Sequence, residues 1–364
     1  MPEQKTPQPW TGIELLRTLT MAPGAPGAEG PVRAIVRKAL DGVGELRHDG
    51  LGSIICVKKG ASARPRILLD SHLDEVGFLV QSVAEEGLLS FLPLGGWWEH
   101  VLLAQRVDVH TEKGVVPGVV ASKPPHFLSG EERKGVLPIE KLFIDIGARS
   151  REEAASFGVR VGDPIVPHCE FVPLTNPRIV SAKAFDNRVG VALMIEALRA
   201  LGDGHPSTVF GVGAVQEEVG CRGAGTAAAA VEPDAALVLE GTPADDSPGV
   251  ASAQRQAVLG KGPQVRFYDP TAISNRAFVR FVEDVARQES VPLQTAVRRT
   301  GGTDAKTISV WGKGVPTVVL GVPARYIHTH VSLIHLDDYE AALRLIIALL
   351  KKLDRAAVES FTAW

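Results

Sequence analysis

Short apolar runs broken by glycine and proline fill the middle of the chain. Six of them lie between about residues 74 and 170: VGFLVQSV, LLSFLPLGG, QRVDVHT, GVVPGVVAS, KLFIDIGA and DPIVPH. Runs of this length and composition are typical of β-strands. Because no helix of more than two turns is evident among them, we expect a small β-barrel or sandwich in this part of the chain.

The flanking regions show a different pattern, in which strands and helices alternate. STVFGVGAV, DAALVLEG and VPTVVLGV are continuous apolar runs, as in strands buried on both faces. Helical spacing is found in PVRAIVRKALDGVGEL, NRVGVALMIEALRAL, SNRAFVRFVEDVARQ and LDDYEAALRLIIALLKKL. We therefore predict one α/β domain formed by residues 1–73 and 174–364, with a β-domain inserted at 74–173.

The composition narrows the class of function. The chain has 364 residues and a formal charge of −3, which argues against a nucleic acid or an anionic membrane as its partner. No apolar run reaches the roughly 20 residues of a membrane span, and the segment MPEQKTPQPWTGIELL lacks the features of a signal peptide. Cys56, Cys169 and Cys221 have no paired spacing, so we expect reduced thiols in a cytoplasmic protein.

Residues that could bind metal ions stand at the end of each predicted strand of the α/β part. They are His72 and Asp74 in RILLDSHLDE, Asp186 in IVSAKAFDNR, Glu217 and Glu218 in VFGVGAVQEE, Glu240 in AALVLEG, and His328 in VVLGVPARYIHTH. In open α/β sheets, ligands bind at the carboxyl ends of the strands. Two imidazoles and several carboxylates at one edge suit zinc, cobalt or manganese. Such cations would offset the charge of the adjacent Glu217 and Glu218, one serving as a ligand and its neighbour as a general base.

Each of these residues also has a simpler structural explanation. His72 could be a buried structural histidine, although Asp74, two residues further on, would lie on the same side of a strand and could hold its tautomer. Asp186 could be the N-cap of the following helix, and Glu240 could be a loop acid.

Two further segments leave alternatives open. His328 has competitors in His330 and His335, which the local pattern separates poorly. GGTDAKT at residues 301–307 is typical of a glycine-rich turn that enters a helix, with Asp304 as its cap.

Six motifs together resemble the M42 family of metallo-aminopeptidases, of the tetrahedral aminopeptidase type. They are LDSHLDEVGFLV, AFDNRVG, VQEEVGCRGA, LEGTPADDSPG, GGTDA and GVPARYIHTH. The middle of the chain is similar to the family in GGWW, GVVASKPPHFLS and KLFIDIGARSREEAASFGVRVGDPIV. The resemblance covers nearly the whole chain in order, and VQEEVG and SKPPH are its most specific segments.

The resemblance implies a phosphorylase/hydrolase-like zinc-peptidase domain of the α/β class, with an inserted small β-barrel that serves in dimer formation. It also implies two divalent metal ions per chain, either zinc or cobalt, with manganese as an alternative. The residues that match the family's ligands are His72, Asp186, Glu218, Glu240 and His328, with Asp186 as the bridge. Glu217 matches the general base that activates a metal-bridging water, and Asp74 matches the acid behind the first histidine.

The chain departs from the family pattern at two positions. Asn187 follows the bridging aspartate where relatives commonly carry aspartate. Glu240 stands where many relatives carry aspartate, and its side chain is one methylene longer. These departures put the spacing or affinity of the metals in question.

The activity implied is removal of N-terminal residues from short peptides. A related binuclear hydrolase acting on another amide, such as an N-acyl amino acid deacylase, is the alternative. The endoglucanase label carried by some relatives is disfavoured, because a glycosidase would use two acids without histidine ligands. A non-catalytic scaffold is disfavoured because the full set of residues is present.

The resemblance also implies a homo-oligomer, in which dimers assemble into a hollow dodecamer. The sequence does not determine which N-terminal residue of the peptide is preferred. Arg298 and Arg299 could line a side-chain pocket that favours an acidic residue, or they could be a solvated pair in a loop.

Overall fold

The computed structural model describes residues 10–130 and 133–363. The first nine residues of the predicted domain segment 1–73, and of the segment searched for a signal peptide, lie outside this range. No helix in the described residues is long and apolar enough to cross a membrane.

The described residues form nine α-helices and eighteen β-strands. The α-helices are α1 (Gly12–Met21), α2 (Gly30–Ala39), α3 (Arg151–Ser156), α4 (Phe185–Ala200), α5 (Arg222–Val231), α6 (Arg276–Gln288), α7 (Ala305–Ile308), α8 (Leu336–Lys352) and α9 (Arg355–Ser360). The strands are β1 (Glu45–His48), β2 (Ile54–Lys58), β3 (Ser62–His72), β4 (Gly77–Val83), β5 (Leu89–Leu94), β6 (Arg106–Thr111), β7 (Gly114–Ala121), β8 (Phe143–Asp145), β9 (Pro164–Pro167), β10 (Val172–Pro173), β11 (Ile179–Ala182), β12 (Ser207–Ala214), β13 (Ala235–Pro243), β14 (Gln264–Asp269), β15 (Ala272–Ile273), β16 (Gln294–Val297), β17 (Thr317–Arg325) and β18 (Ser332–His335).

The larger sheet has a parallel centre and antiparallel edges. Its strand order is β1-β2-β12-β3-β13-β17-β18-β11-β10, and β14 to β16 extend it beside β17. The four strands β12, β3, β13 and β17 pair in parallel. The strands β12, β13 and β17 are buried along nearly their whole length, because helices cover both faces of the sheet, and this explains their unbroken apolar runs.

Alternate residues of β3 pack into two different cores. Ile67 and Leu69 belong to the cluster covered by α1, α2, α4, α6 and α8. Leu68 belongs to the smaller cluster on the opposite face, which contains residues of α5 and α7. Since side chains alternate along a strand, Asp70 and His72 share the face of Leu68.

The inserted region is a closed barrel. Its strands pair in the order β4-β5-β8-β7-β6-β9, and β9 returns to β4. Its interior is a separate apolar cluster that includes Phe78, Val107 and Ile165. The predicted α/β class with an inserted β-barrel is therefore confirmed. Because the strands close on one another, the insert is a barrel and not a sandwich. The exact boundaries at 73 and 173 stay a prediction, since the barrel strands themselves run from Gly77 to Pro167.

Two of the differences between the structure and the predicted elements have a clear local cause. The helix predicted over PVRAIVRKALDGVGEL ends early, at Ala39, and its last residues begin β1. Gly42 has φ +73°, and a Cβ on Gly44 would lie 2.6 Å from the main-chain oxygen of Val57, so neither position is helical. The strands β14, β15 and β16 were not predicted, because they are short and only partly apolar.

Candidate active site

Parallel strands bring the predicted residues to one edge of the larger sheet. β3 ends at His72, which pairs with Ala214, the last residue of the neighbouring strand β12. Glu217 and Glu218 follow three and four residues later. Glu240 lies within β13, and His328 follows the end of β17.

His72, Asp186 and Glu240 form the first cluster. The Nε2 atom of His72 lies 3.2 Å from Oδ1 of Asp186 and 3.7 Å from Oε2 of Glu240. One potential ligand atom from each residue lies within 4.8 Å of the other two. The side chain of Glu240, one methylene longer than the aspartate of many relatives, is therefore compatible with this cluster.

Asp186, Glu218 and His328 form the second cluster. The Nε2 atom of His328 lies 3.5 Å from Oδ2 of Asp186 and 3.5 Å from Oε2 of Glu218. One potential ligand atom from each of these three residues lies within 4.8 Å of the other two. Asp186 thus offers one carboxylate oxygen to each cluster, which is the arrangement that a residue bridging two metal ions requires.

Asp186 is not a simple helix cap. It lies in the first turn of α4 with φ −83° and ψ 104°, which are not helical values, and its carboxylate contacts the two imidazoles.

The contacts of Asn187 explain why asparagine stands here, where the family pattern commonly has aspartate. Its Nδ2 donates to the main-chain oxygen of Leu239 at 2.7 Å, and its Oδ1 accepts from the backbone N–H of Gly190 at 3.1 Å. Aspartate could not donate the first bond, so Asn187 links α4 to β13.

Asp74 lies behind His72 and also positions the two adjacent glutamates. Its main-chain oxygen is 3.1 Å from Nδ1 of His72, and its Oδ1 is 3.4 Å from the same nitrogen. The two carboxylate oxygens accept the backbone N–H groups of Glu217 and Glu218, each at 3.0 Å. Asp74 therefore fixes both the imidazole orientation and the turn that carries the glutamates.

The structure separates the three neighbouring histidines. Nδ1 of His328 lies 2.8 Å from the main-chain oxygen of Gly96, which can only accept, so Nδ1 carries the proton and Nε2 is free to bind a metal. His330 is buried outside both clusters and packs against Trp97. His335 instead caps α8. His328 is therefore the histidine of the second cluster.

Burial and unbalanced charge shift the pKa values of the site. Burial raises the pKa of Glu217 to about 7 and that of Glu218 to about 8, and it raises that of Glu240 well above its ordinary value. Burial acts against the charge of Asp186 too, but hydrogen bonds from His328 and His72 hold its pKa well below the usual range. Burial would lower the pKa of His328, yet the neighbouring Asp186 and Glu218 raise it to about 10.

This donor set fits two divalent cations. Carboxylates outnumber the imidazoles in a space largely shielded from water, and the nitrogen and oxygen donors are those that zinc, cobalt and manganese accept. Cations held there would remove the cost of burying the excess negative charge.

Three further residues lie beside Glu217, and none of them was assigned to the site from the sequence. Asp304 does not cap α7, since its side chain makes no capping hydrogen bond and is fully buried. Asp70 is its buried neighbour, and the thiol of Cys221 lies 3.4 Å from Oε1 of Glu217. Asp70 could have been identified from the sequence, because its two-residue spacing from His72 places both side chains on one face of β3.

A cavity of about 440 Å³ opens onto the two clusters. Lys306 and Arg266 lie in its wall, whereas Arg298 and Arg299 do not. Arg298 instead forms an ion pair with Asp245 at 2.7 Å, and Arg299 is exposed. The two arginines singled out from the sequence therefore do not line this cavity.

Comparison with known proteins agrees with the resemblance in the motifs. The family model of the M42 glutamyl aminopeptidases matches residues 52–345. The chain therefore belongs to the M42 family, whose members are metal-dependent peptide hydrolases.

Individual relatives cover nearly the whole chain. A crystal structure of a TET aminopeptidase from a marine sediment Thaumarchaeota archaeon is 48% identical, with a TM-score of 0.94, and the match covers 96% of this chain and 98% of that one. The glutamyl aminopeptidase of Lactococcus lactis subsp. cremoris is 34% identical over 95% of this chain and 98% of its own. The Pyrococcus horikoshii TET1 peptidase, which can assemble into a tetrahedron or a large octahedral shell, is 35% identical with a TM-score of 0.83, covering 94% of this chain and 99% of its own.

Proposed function

We propose that this protein is a binuclear metal-dependent aminopeptidase that removes N-terminal residues from short peptides. The observation that carries the proposal is the position of Asp186, whose two oxygens face the two histidines of separate clusters. In this proposal His72 and Glu240 complete one metal site, and Glu218 and His328 complete the other. Two ions, either zinc or cobalt with manganese as the alternative, would activate a water molecule and polarise the scissile carbonyl.

Glu217 is the general base in this proposal. Its Oε2 lies 3.9 Å from Nε2 of His72, so the carboxylate borders the first cluster without belonging to the pair of sites that share Asp186. Burial keeps its pKa near 7, where a carboxylate can accept a proton from water and return it to the leaving amine. Asp74 positions this group through the backbone N–H of Glu217.

The proposed site favours a substrate with a free amino terminus. A free α-amine could bind one of the two metal ions, or it could contact a carboxylate of the cavity wall that is not a metal ligand, such as Glu217. An N-acylated substrate would lose this contact. The alternative, an N-acyl amino acid deacylase, would require the opposite preference.

Lys306 is our candidate for the residue that selects the first side chain of the peptide. It is exposed in the cavity wall, and no ion pair satisfies it among the described residues. Arg266, by contrast, is paired with Asp269 at 3.0 Å. A free ammonium group close to the metal clusters favours an acidic N-terminal residue.

The assembly and the location of the protein are also part of this proposal. The TET1 relative can assemble into a tetrahedron or a large octahedral shell, and a structure of PhTET1-12s is a dodecamer, so we propose that dimers of this chain assemble into a dodecamer that encloses the active sites. Enclosure would limit substrates to short or unfolded peptides. The cytoplasmic location stays a prediction from the sequence, supported by three free cysteines.

A panel of aminoacyl-p-nitroanilides and their N-acetylated forms tests the proposal. We expect release from free amino termini only, abolished by EDTA and recovered with cobalt or zinc. Release from the N-acylated compounds alone, by protein that holds two ions, would favour the deacylase instead. No release from either set by such protein would refute both functions.

A further inference from the structure

A second group of potential metal ligands lies behind Glu217, away from the two clusters. The Oε2 atom of Glu217 is on the side of His72, but its Oε1 lies 3.4 Å from the sulfur of Cys221. One ligand atom each from Glu217, Cys221 and Asp304 lies within 4.8 Å of the others. The two oxygens of Glu217 therefore border two different groups of donors.

Two buried carboxyl groups beside these donors receive no hydrogen bond from any third residue that the structure describes. Asp304 and Asp70 are fully buried neighbours whose carboxyl groups can share one proton, and no other group among the described residues donates to their four oxygens. Burying an unpaired carboxylate costs several kcal/mol, so native structures normally supply a donor or a metal ion. The neighbouring thiol donates to Glu217 or to the main-chain oxygen of Thr303, but not to Asp304.

The chemistry of this group differs from that of the two clusters. The clusters around Asp186 contain only nitrogen and oxygen donors, whereas this group includes sulfur. Thiolate ligands favour zinc over magnesium, calcium and manganese. The Thr303 oxygen, 3.4 Å from the sulfur, would be a fourth donor. Donors around tetrahedral zinc are about 3.5 Å apart. The four donor atoms would therefore have to move only slightly towards one another to bind the ion.

We propose that Cys221, Asp304, Glu217 and the main-chain oxygen of Thr303 form a third, inhibitory metal site for a thiophilic divalent cation such as zinc. Binding replaces the S–H bond of Cys221 with a sulfur–metal bond and releases the proton to solvent. The occupied site withdraws Glu217 from its role as a base, a consequence that rests on the proposed function. Metal binding itself does not depend on that function.

Cadmium provides a direct probe, because its bond to thiolate produces an ultraviolet charge-transfer band. Cadmium would be titrated into enzyme already loaded with two equivalents of cobalt or manganese per chain. Exchange into the Asp186 clusters produces no such band, since they contain no sulfur. We expect a band that saturates at one thiolate-bound cadmium per chain.

Variants assign the band to this site. Cys221→Ser keeps the size of the side chain and should abolish the band, and Asp304→Asn should weaken cadmium binding at least about 10-fold. Cys169→Ser is the matched control, because Cys169 is more exposed than Cys221 and lies in another part of the chain, and it should leave the band unchanged. No band in the parent protein, or a band retained in Cys221→Ser, would overturn the proposal.

Inhibition is measured separately. Excess zinc should slow peptide hydrolysis by the cobalt-loaded parent protein, and each variant is compared with its own rate before zinc is added. Loss of this inhibition in Cys221→Ser, but not in Cys169→Ser, is the expected result. Equal inhibition of both variants would refute the inhibitory role. If the protein proves not to be an aminopeptidase, the cadmium band still decides whether the site exists.

Discussion

Nδ1 of His328 donates a hydrogen bond to the main-chain oxygen of Gly96 at 2.8 Å. Gly96 lies between β5 and β6 of the inserted barrel, whereas His328 follows β17 of the larger sheet. The barrel therefore contributes a contact that orients a predicted metal ligand, beyond the role in dimer formation that the family resemblance implies.

Replacing Gly96 by alanine should weaken metal binding. A Cβ at this position would lie 3.3 Å from Nδ1 of His328, so the imidazole must shift. We expect up to about a 10-fold loss of affinity for one of the two ions, since partners that orient ligands contribute on this scale. Metal titration by calorimetry measures it. Gly50→Ala is the control, because a Cβ on Gly50 meets nothing within 4 Å, and an equal loss there would contradict the assignment.

Asp186 and Glu240 should differ in how many ions they hold. Asp186→Ala is expected to lose both ions together, because each cluster uses one of the two Asp186 oxygens and alanine supplies neither. Glu240→Gln should lose only the ion of the first cluster. Metal analysis after dialysis gives the stoichiometry per chain. Two ions retained by Asp186→Ala would show that this residue is not the bridge.

Glu217→Gln should lower kcat by about 10² to 10⁴ while the protein keeps two ions per chain. The amide cannot accept the proton from water, but it leaves the ligands around Asp186 in place. Glu86→Gln, at an exposed position in the turn between β4 and β5, is the control. Turnover close to that of the control would exclude Glu217 as the base.

His205 should make the protein less stable in acid. Its Nδ1 lies 2.7 Å from the main-chain oxygen of Ser207, its Nε2 has no hydrogen-bond partner among the described residues, and burial lowers its pKa below the ordinary 6.5. The unfolded chain therefore binds a proton at a higher pH than the folded protein does. This contribution to stability is complete above pH 6.5 and is lost as the pH falls below it, at up to about 1.4 kcal/mol per pH unit.

Urea unfolding of the parent protein and of His205→Gln, at pH 7.5 and at pH 5, tests this expectation. The variant should lose less stability between the two pH values than the parent does. His126→Gln, which replaces an exposed histidine, should behave like the parent. Identical losses for the parent and His205→Gln would rule out this group as a source of acid sensitivity.

The parts of the fold that local pattern determines could be predicted from the sequence. The unbroken apolar runs of β12, β13 and β17 reflect burial on both faces, and the broken runs of the insert reflect a small barrel. Strand ends also indicated which polar residues would meet. The structure brings His72, Asp186, Glu218, Glu240 and His328 together, although their roles as ligands remain predictions.

Contacts between distant loops could not be predicted in this way. The bond between His328 and Gly96 joins residues 232 positions apart, and no periodicity encodes it. Asp304 was interpreted as a helix cap because its spacing fits one, but tertiary packing buries it beside Asp70 instead. Arg298 was a candidate for the side-chain pocket only because it lies close to GGTDAKT in the sequence. Its ion pair with Asp245 holds it outside the cavity.

Lys306 should determine the preference for an acidic first residue. The ratio of kcat/KM for glutamyl-p-nitroanilide to that for leucyl-p-nitroanilide is the quantity to measure. Lys306→Met keeps most of the side-chain volume but removes the charge, and a hydrogen bond to a charged group is worth about 1.5–3 kcal/mol. We therefore expect the ratio to fall about 10- to 100-fold. Lys313→Met, at an exposed lysine outside the cavity that opens onto the metal clusters, should leave the ratio unchanged. If both variants keep the parent ratio, selection of the first residue must come from another part of the cavity wall.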